Sequence, residues 1–167
     1  MSRGCLPFIK KAIFAQNRKI MIQRIQTVYL FISALLITSL LKLKFADLSV
    51  NNELYTFVAK GIYAGENLIF NGLAIFIFIL IIAMLHFVVI FLYKKRILQI
   101  RILVFTIVLL VGLFGMFFYF TYAGFTDAKV AFKVPVVFPI VVAILDFLAI
   151  RAIGKDEALV RSLNRIR

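Results

Sequence analysis

Residues 73–93 read LAIFIFILIIAMLHFVVIFLY, 21 positions whose apolar run is interrupted only by His86. A bilayer's hydrocarbon core, about 30 Å thick, is crossed by about 20 such residues in a helix, so this stretch reads as a transmembrane span. Three further runs lie outward from it: 102–122 has the same length, while 25–41 and 134–150 have 17 residues each, the last containing Asp146. The shorter two reach across if Arg24, Lys42, Lys133 and Arg151 bury their methylene stems and extend their charges to the interface. The spans are therefore expected at about 22–42, 69–93, 101–122 and 135–151. With 64% hydrophobic and 16% charged residues in a chain of 167, a soluble domain is excluded, and the +13 charge is read as topology, not as nucleic-acid binding.

Lysine and arginine number six in residues 1–24, three in 42–68, four in 94–101, two in 123–133 and five in 151–167. That is 15 on one side and 5 on the other, so both termini and the Lys94–Arg96 connection are expected in the cytoplasm and the other two loops outside it. A cleaved signal peptide is the competing reading of the first span. It fits poorly, because the run is long and Lys42-Leu43-Lys44 stands where a small-residue cleavage site belongs. The expected location is a cytoplasmic membrane, crossed several times.

In the first outward loop Leu48, Val50, Leu54, Thr56 and Val58 recur with period two around Asn51-Asn52, which predicts a β-hairpin. A second alternating stretch, 128–134, is expected to pair with it as a small extracytoplasmic sheet. Pro135 and Pro139 mark the outer end of the fourth helix, where a missing N–H costs nothing. Gly112 and Gly115 admit either a close helix approach or no special role. Beyond Arg151, residues at about 152–166 place Ile153, Leu159, Val160, Leu163 and Ile166 near helical spacing with Arg161, Arg165 and Arg167 between them, as in a surface helix on anionic lipid head groups of the cytoplasmic face. Residues 1–20 form a basic N-terminal extension ahead of a single membrane domain, 21–167.

Candidate chemistry is sparse. One cysteine, Cys5, and one histidine, His86, leave no self-contained zinc or haem site, and no cofactor is expected. No phosphate loop, metalloprotease motif or nucleophile elbow occurs, so no enzyme is expected either. Ionisable groups inside a span are functional candidates by default. Asp146 lies about 7.5 Å before Arg151 and His86 about 12 Å before Lys94 at helical rise, which puts both in the same leaflet. A hydrogen bond between them would satisfy both groups. The same pair is the one in the chain able to relay a proton within the membrane, so structural contact, proton handling and ligand binding all stay open.

Two stretches, Met21–Leu30 and Ala149–Ser162, resemble a Bacteroidota family of small four-span inner-membrane proteins of unknown function. The likeness covers residues 21–167 and makes 1–20 an extension relative to it. It concentrates at Gln23, Arg24, Gln26, Arg151, Lys155, Asp156, Glu157, Arg161 and Ser162, and so implies a contact at the cytoplasmic face. Arg24, Arg151, Lys155, Glu157, Arg161 and Arg165 are the candidates for it, toward lipid or a partner. Together these readings predict an all-α, four-span bundle with both termini inside. The leading function is a non-enzymatic accessory or scaffold subunit bound to another inner-membrane protein; the alternative is a small transporter or channel, formed as a homo-oligomer and using Asp146 and His86.

Overall fold

The computed structural model describes residues 26–50, 53–93, 95–123 and 129–164. Residues 1–20, Arg24, Asn51, Asn52 and Arg165 lie outside the described residues. Helix α1 is described over Gln26–Ser39, followed by strands β1 (Lys44–Val50), β2 (Glu53–Val58), β3 (Gly61–Ala64) and β4 (Asn67–Asn71). Helices α2 (Leu73–Phe91) and α3 (Arg96–Ala123) come next, then β5 (Lys129–Phe132), a 3-10 turn at Val134–Val137 and helix α4 (Phe138–Asn164). Three segments are long and apolar enough to cross a membrane: Leu73–Phe91, Arg96–Tyr122 and Val134–Ala158. The described part of α1 is shorter, about 21 Å at helical rise.

The strands form one antiparallel sheet ordered β4-β3-β2-β1-β5, larger than the hairpin the sequence announces. β1 and β2 pair as expected, Val50 opposite Glu53, and β5 joins the other edge of β1 with Leu48 opposite Val130. The β1–β2 register puts even positions of β1 on the same face as odd positions of β2, so Ala46 and Leu48 share a face with Phe57 and Tyr55. Leu54, which continues the even-numbered alternation, is consequently 73% exposed. The second hairpin, β3–β4, turns at Gly65 with φ +61°. β4 occupies residues expected at the start of span two; the helix begins only at Leu73, whose N–H donates to Asn71 Oδ1 at 2.9 Å. Gly61 has φ +147°, and any side chain there would collide with the Phe70 carbonyl oxygen.

The sheet meets the helices through rings. Phe45, the extra residue where the β1–β2 register shifts, stands with its ring centroid 4.5 Å from that of Phe117 on α3 and 5.3 Å from that of Phe57 on β2. Phe70 packs edge-on against Phe120, and Phe132 lies beside Phe118, so both α1–α2 and α3–α4 connections gather at the C-terminal end of α3. Pro135 falls in the first turn of the 3-10 segment and Pro139 in that of α4, so the prolines do open the fourth helix. That helix then runs unbroken to Asn164, where a span and a separate surface helix were expected. Neither Arg151 nor Gly154 removes a backbone donor, so the i→i−4 ladder has no reason to stop. A Cβ on Gly112 would meet Phe78 at ordinary contact distance, and one on Gly115 would meet no described atom within 4 Å, so neither glycine creates a close helix approach.

Candidate functional site

Buried positions recur every three or four residues on each helix, the spacing of a seam between packed helices. They run Leu30, Ser33, Ile37 on α1; Ile82, His86, Val89 on α2; Leu103, Thr106, Leu110 on α3; and Val142, Asp146, Ala149 on α4. Leu30, Val89, Leu103 and Ala149 belong to one apolar cluster, whereas Ile37, Ile82, Leu110 and Val142 belong to another that extends to the sheet. The middle residue of each trio is polar. Ser33, His86, Thr106 and Asp146 therefore form one polar level, all 0% exposed, with apolar packing above and below.

His86 and Asp146 meet as the sequence suggests. Nε2 of His86 lies 3.1 and 3.2 Å from the two carboxyl oxygens of Asp146, and Nδ1 lies 2.9 Å from the Ile82 carbonyl. Counting protons defines the pair. The Ile82 oxygen can only accept, so Nδ1 carries a proton; a second proton must then sit between Nε2 and the carboxyl group. The pair is either imidazolium with carboxylate or imidazole with carboxylic acid, and its sum charge is zero in both forms. Thr106 Oγ1 donates to its own helix at the Ile102 carbonyl, 2.8 Å away, while Ser33 Oγ has no hydrogen-bond partner among the described residues.

A second polar group lies beyond the Leu30–Leu103 cluster. Arg96 Nη1 on α3 is 2.7 Å from Asp156 Oδ2 on α4, with the Asp156 side chain only 3% exposed, and Gln99 Nε2 donates to the Val89 carbonyl at 3.2 Å. These contacts tie α3 to α4 and α2 to α3 at the end opposite the sheet. Sequence reading placed Asp156 at a surface contact and did not single out Arg96 or Gln99. A signal existed: Asp156 continues the series 142, 146, 149, 153, and Gln99 starts the series 99, 103, 106, 110. Of the candidate rim residues, Arg151 and Lys155 are exposed and Glu157 is half-buried. Arg161 is on α4 with its side chain outside the description, as are Arg24 and Arg165 altogether.

Among the described residues, no three His, Cys, Asp or Glu side chains gather as a metal would need. What the arrangement can do chemically is hold one shared proton in an apolar setting and bond α2 to α4.

The class defined by these features is a helical protein compatible with a membrane, carrying a five-stranded antiparallel sheet at one end and a buried His–Asp pair between its helices. The chain belongs to the family described as Domain of unknown function (DUF4293), whose model matches residues 22–166. No curated protein and no solved structure matches it.

Proposed function

We propose that the protein is an integral membrane protein in which all four helices cross the bilayer, with both termini in the cytoplasm and the sheet outside, acting as a non-enzymatic accessory or scaffold subunit of a membrane complex. The 15-to-5 division of basic residues supports the orientation. Pairing of β1 with β5 supports the span count, since it brings the α1–α2 and α3–α4 connections to the same side, as alternating helices require. The apolar run at 25–41 is long enough for α1 to cross with Arg24 and Lys42 at the two interfaces.

One observation favours a scaffold over a transporter: the His86–Asp146 pair is wholly buried and flanked by packed apolar side chains in both directions along the bundle. A group that handed protons or ions across would need contact with water from each side in turn. The described contacts of the pair are instead internal, His86 meeting Asp146 across the bundle and the Ile82 carbonyl on its own helix. Outward, the helices present Phe31, Leu35, Met84, Phe91, Val108, Val111 and Phe147, an apolar surface for lipid tails or a neighbouring span. At the cytoplasmic end Arg151 and Lys155 face outward, toward anionic head groups or a partner's acidic rim.

Isolation of the tagged chain at native expression in polymer-bounded native nanodiscs, followed by mass spectrometry, tests this reading. Expected is one integral membrane partner at fixed stoichiometry, reduced by Arg151→Glu with Lys155→Glu. Recovery of the chain only as its own oligomer would overturn it.

A further inference from the structure

Between the end of α1 and the start of the α4 segment lies an open groove of about 490 Å³, walled by Leu43 and Lys44 on one side and by Phe132, Lys133, Val134 and Pro135 on the other. The volume is within the range of about 300–1,000 Å³ that small ligands occupy. Its walls are held together, because the Lys133 N–H donates to the Phe45 carbonyl at 2.8 Å and Lys133 Nζ is 2.6 Å from Asp47 Oδ2. Its chemistry is divided. Val134 is 74% exposed and Phe132 41% exposed, yet two lysines, Lys44 and Lys133, line the same groove, and Asp47 answers only the second.

The place of the groove in the fold says what can enter it. Lys44 follows the last turn after α1, and Val134 opens the segment Val134–Ala158, which is long enough to cross a membrane. Both walls therefore stand where two helices leave the hydrocarbon on the sheet side. A small soluble anion would have no use for the apolar wall, and an acyl chain alone would have no use for the lysines. An amphiphile with a negative head needs both, at this depth.

We propose that this groove binds an anionic phospholipid of the sheet-side leaflet, its phosphate at Lys44 and Lys133 and an acyl chain along Val134 and Pro135. The assignment rests on the membrane reading above but not on the accessory role. Lys44 supplies most of the selectivity, because Lys133 is shared with Asp47. Basic side chains at a membrane surface favour anionic lipid, and one lysine is worth about fivefold in binding.

The chain has no tryptophan, so Val134→Trp installs a sole fluorescent reporter in the groove. Quenching is compared in vesicles containing brominated phosphatidylglycerol or brominated phosphatidylcholine. Half-maximal quenching is expected at about fivefold lower mole fraction of the anionic lipid, and Lys44→Gln is expected to bring that ratio close to one. Strong, equal quenching by both lipids would refute the head-group site while leaving the membrane reading intact. Absence of quenching by either lipid would overturn the site and the placement of this boundary in the bilayer together. A ratio unmoved by Lys44→Gln would show that the selectivity arises elsewhere and would also overturn the assignment.

Discussion

Replacing Asp146 by leucine removes the group that shares a proton with His86. The imidazole keeps its bond to Ile82, but Nε2 is left as a buried acceptor at a level with apolar clusters on both sides. An unsatisfied buried polar group costs about 1–3 kcal/mol. His86→Leu leaves the carboxyl group in the same position, at similar cost once it takes up a proton. The double replacement leaves neither group stranded, so its cost should fall well below the sum of the singles, by about 2–6 kcal/mol. Asp146→Asn is different again: a carboxamide N–H can donate to the Nε2 of a neutral imidazole, and hydrogen bonds between membrane helices are worth only about 0.6 kcal/mol on average, so the loss should stay under about 1 kcal/mol. Titration with sodium dodecyl sulfate in mixed micelles, followed by circular dichroism, gives all four stabilities. Single effects that add to the double within about 0.5 kcal/mol would refute the reasoning.

Three other expectations are tied to particular contacts. Gly61→Ala should cost about 3 kcal/mol, through positive φ and collision with the Phe70 carbonyl, whereas Gly65→Ala, with open space around it, should cost about 1 kcal/mol; the same titration separates them. Arg96→Gln should cost about 2 kcal/mol by leaving the nearly buried Asp156 without its cation, and Arg96→Gln with Asp156→Leu should recover part of it. The Tyr55 phenol donates to Glu53 Oε2 at 2.8 Å, a bond that raises its pKa above the ordinary tyrosine value, with burial and the Glu53 charge adding to it. Whatever that bond contributes is present below the unfolded tyrosine pKa and fades as pH rises through the folded one; Glu53→Gln should return the phenol toward its ordinary value in NMR of ring-labelled tyrosine.

The three long apolar helices were legible because a span needs only length and the absence of charge, and residues 73–93 satisfy both. The Asn51-Asn52 hairpin and the added strand at 129–132 were legible from alternation. The similar depth of His86 and Asp146 was legible from helical rise, whereas their contact was one of the outcomes that the sequence left open. The inward stripe of each helix was not legible. In a soluble helix the outer face is polar and the buried face stands out, but here the outer residues, such as Phe105, Val108 and Val111 on α3, are as apolar as the buried Leu103 and Leu110. Only polar members reveal the stripe, and Ser33, Thr106 and Gln99 were individually too ordinary to carry that weight. β4 escaped notice because Leu68, Ile69 and Phe70 adjoin the apolar run of α2 and merge with it. At the other end, the sequence changes from apolar to amphipathic after Arg151, while the backbone of α4 continues to Asn164.

That the His86–Asp146 pair joins α2 to α4 in a scaffold and conducts nothing is tested most directly by proton flux into proteoliposomes under an imposed pH gradient and membrane potential. Flux equal to that of protein-free vesicles, unchanged by Asp146→Asn, is the result expected. A flux well above the protein-free rate that Asp146→Asn abolishes would contradict it.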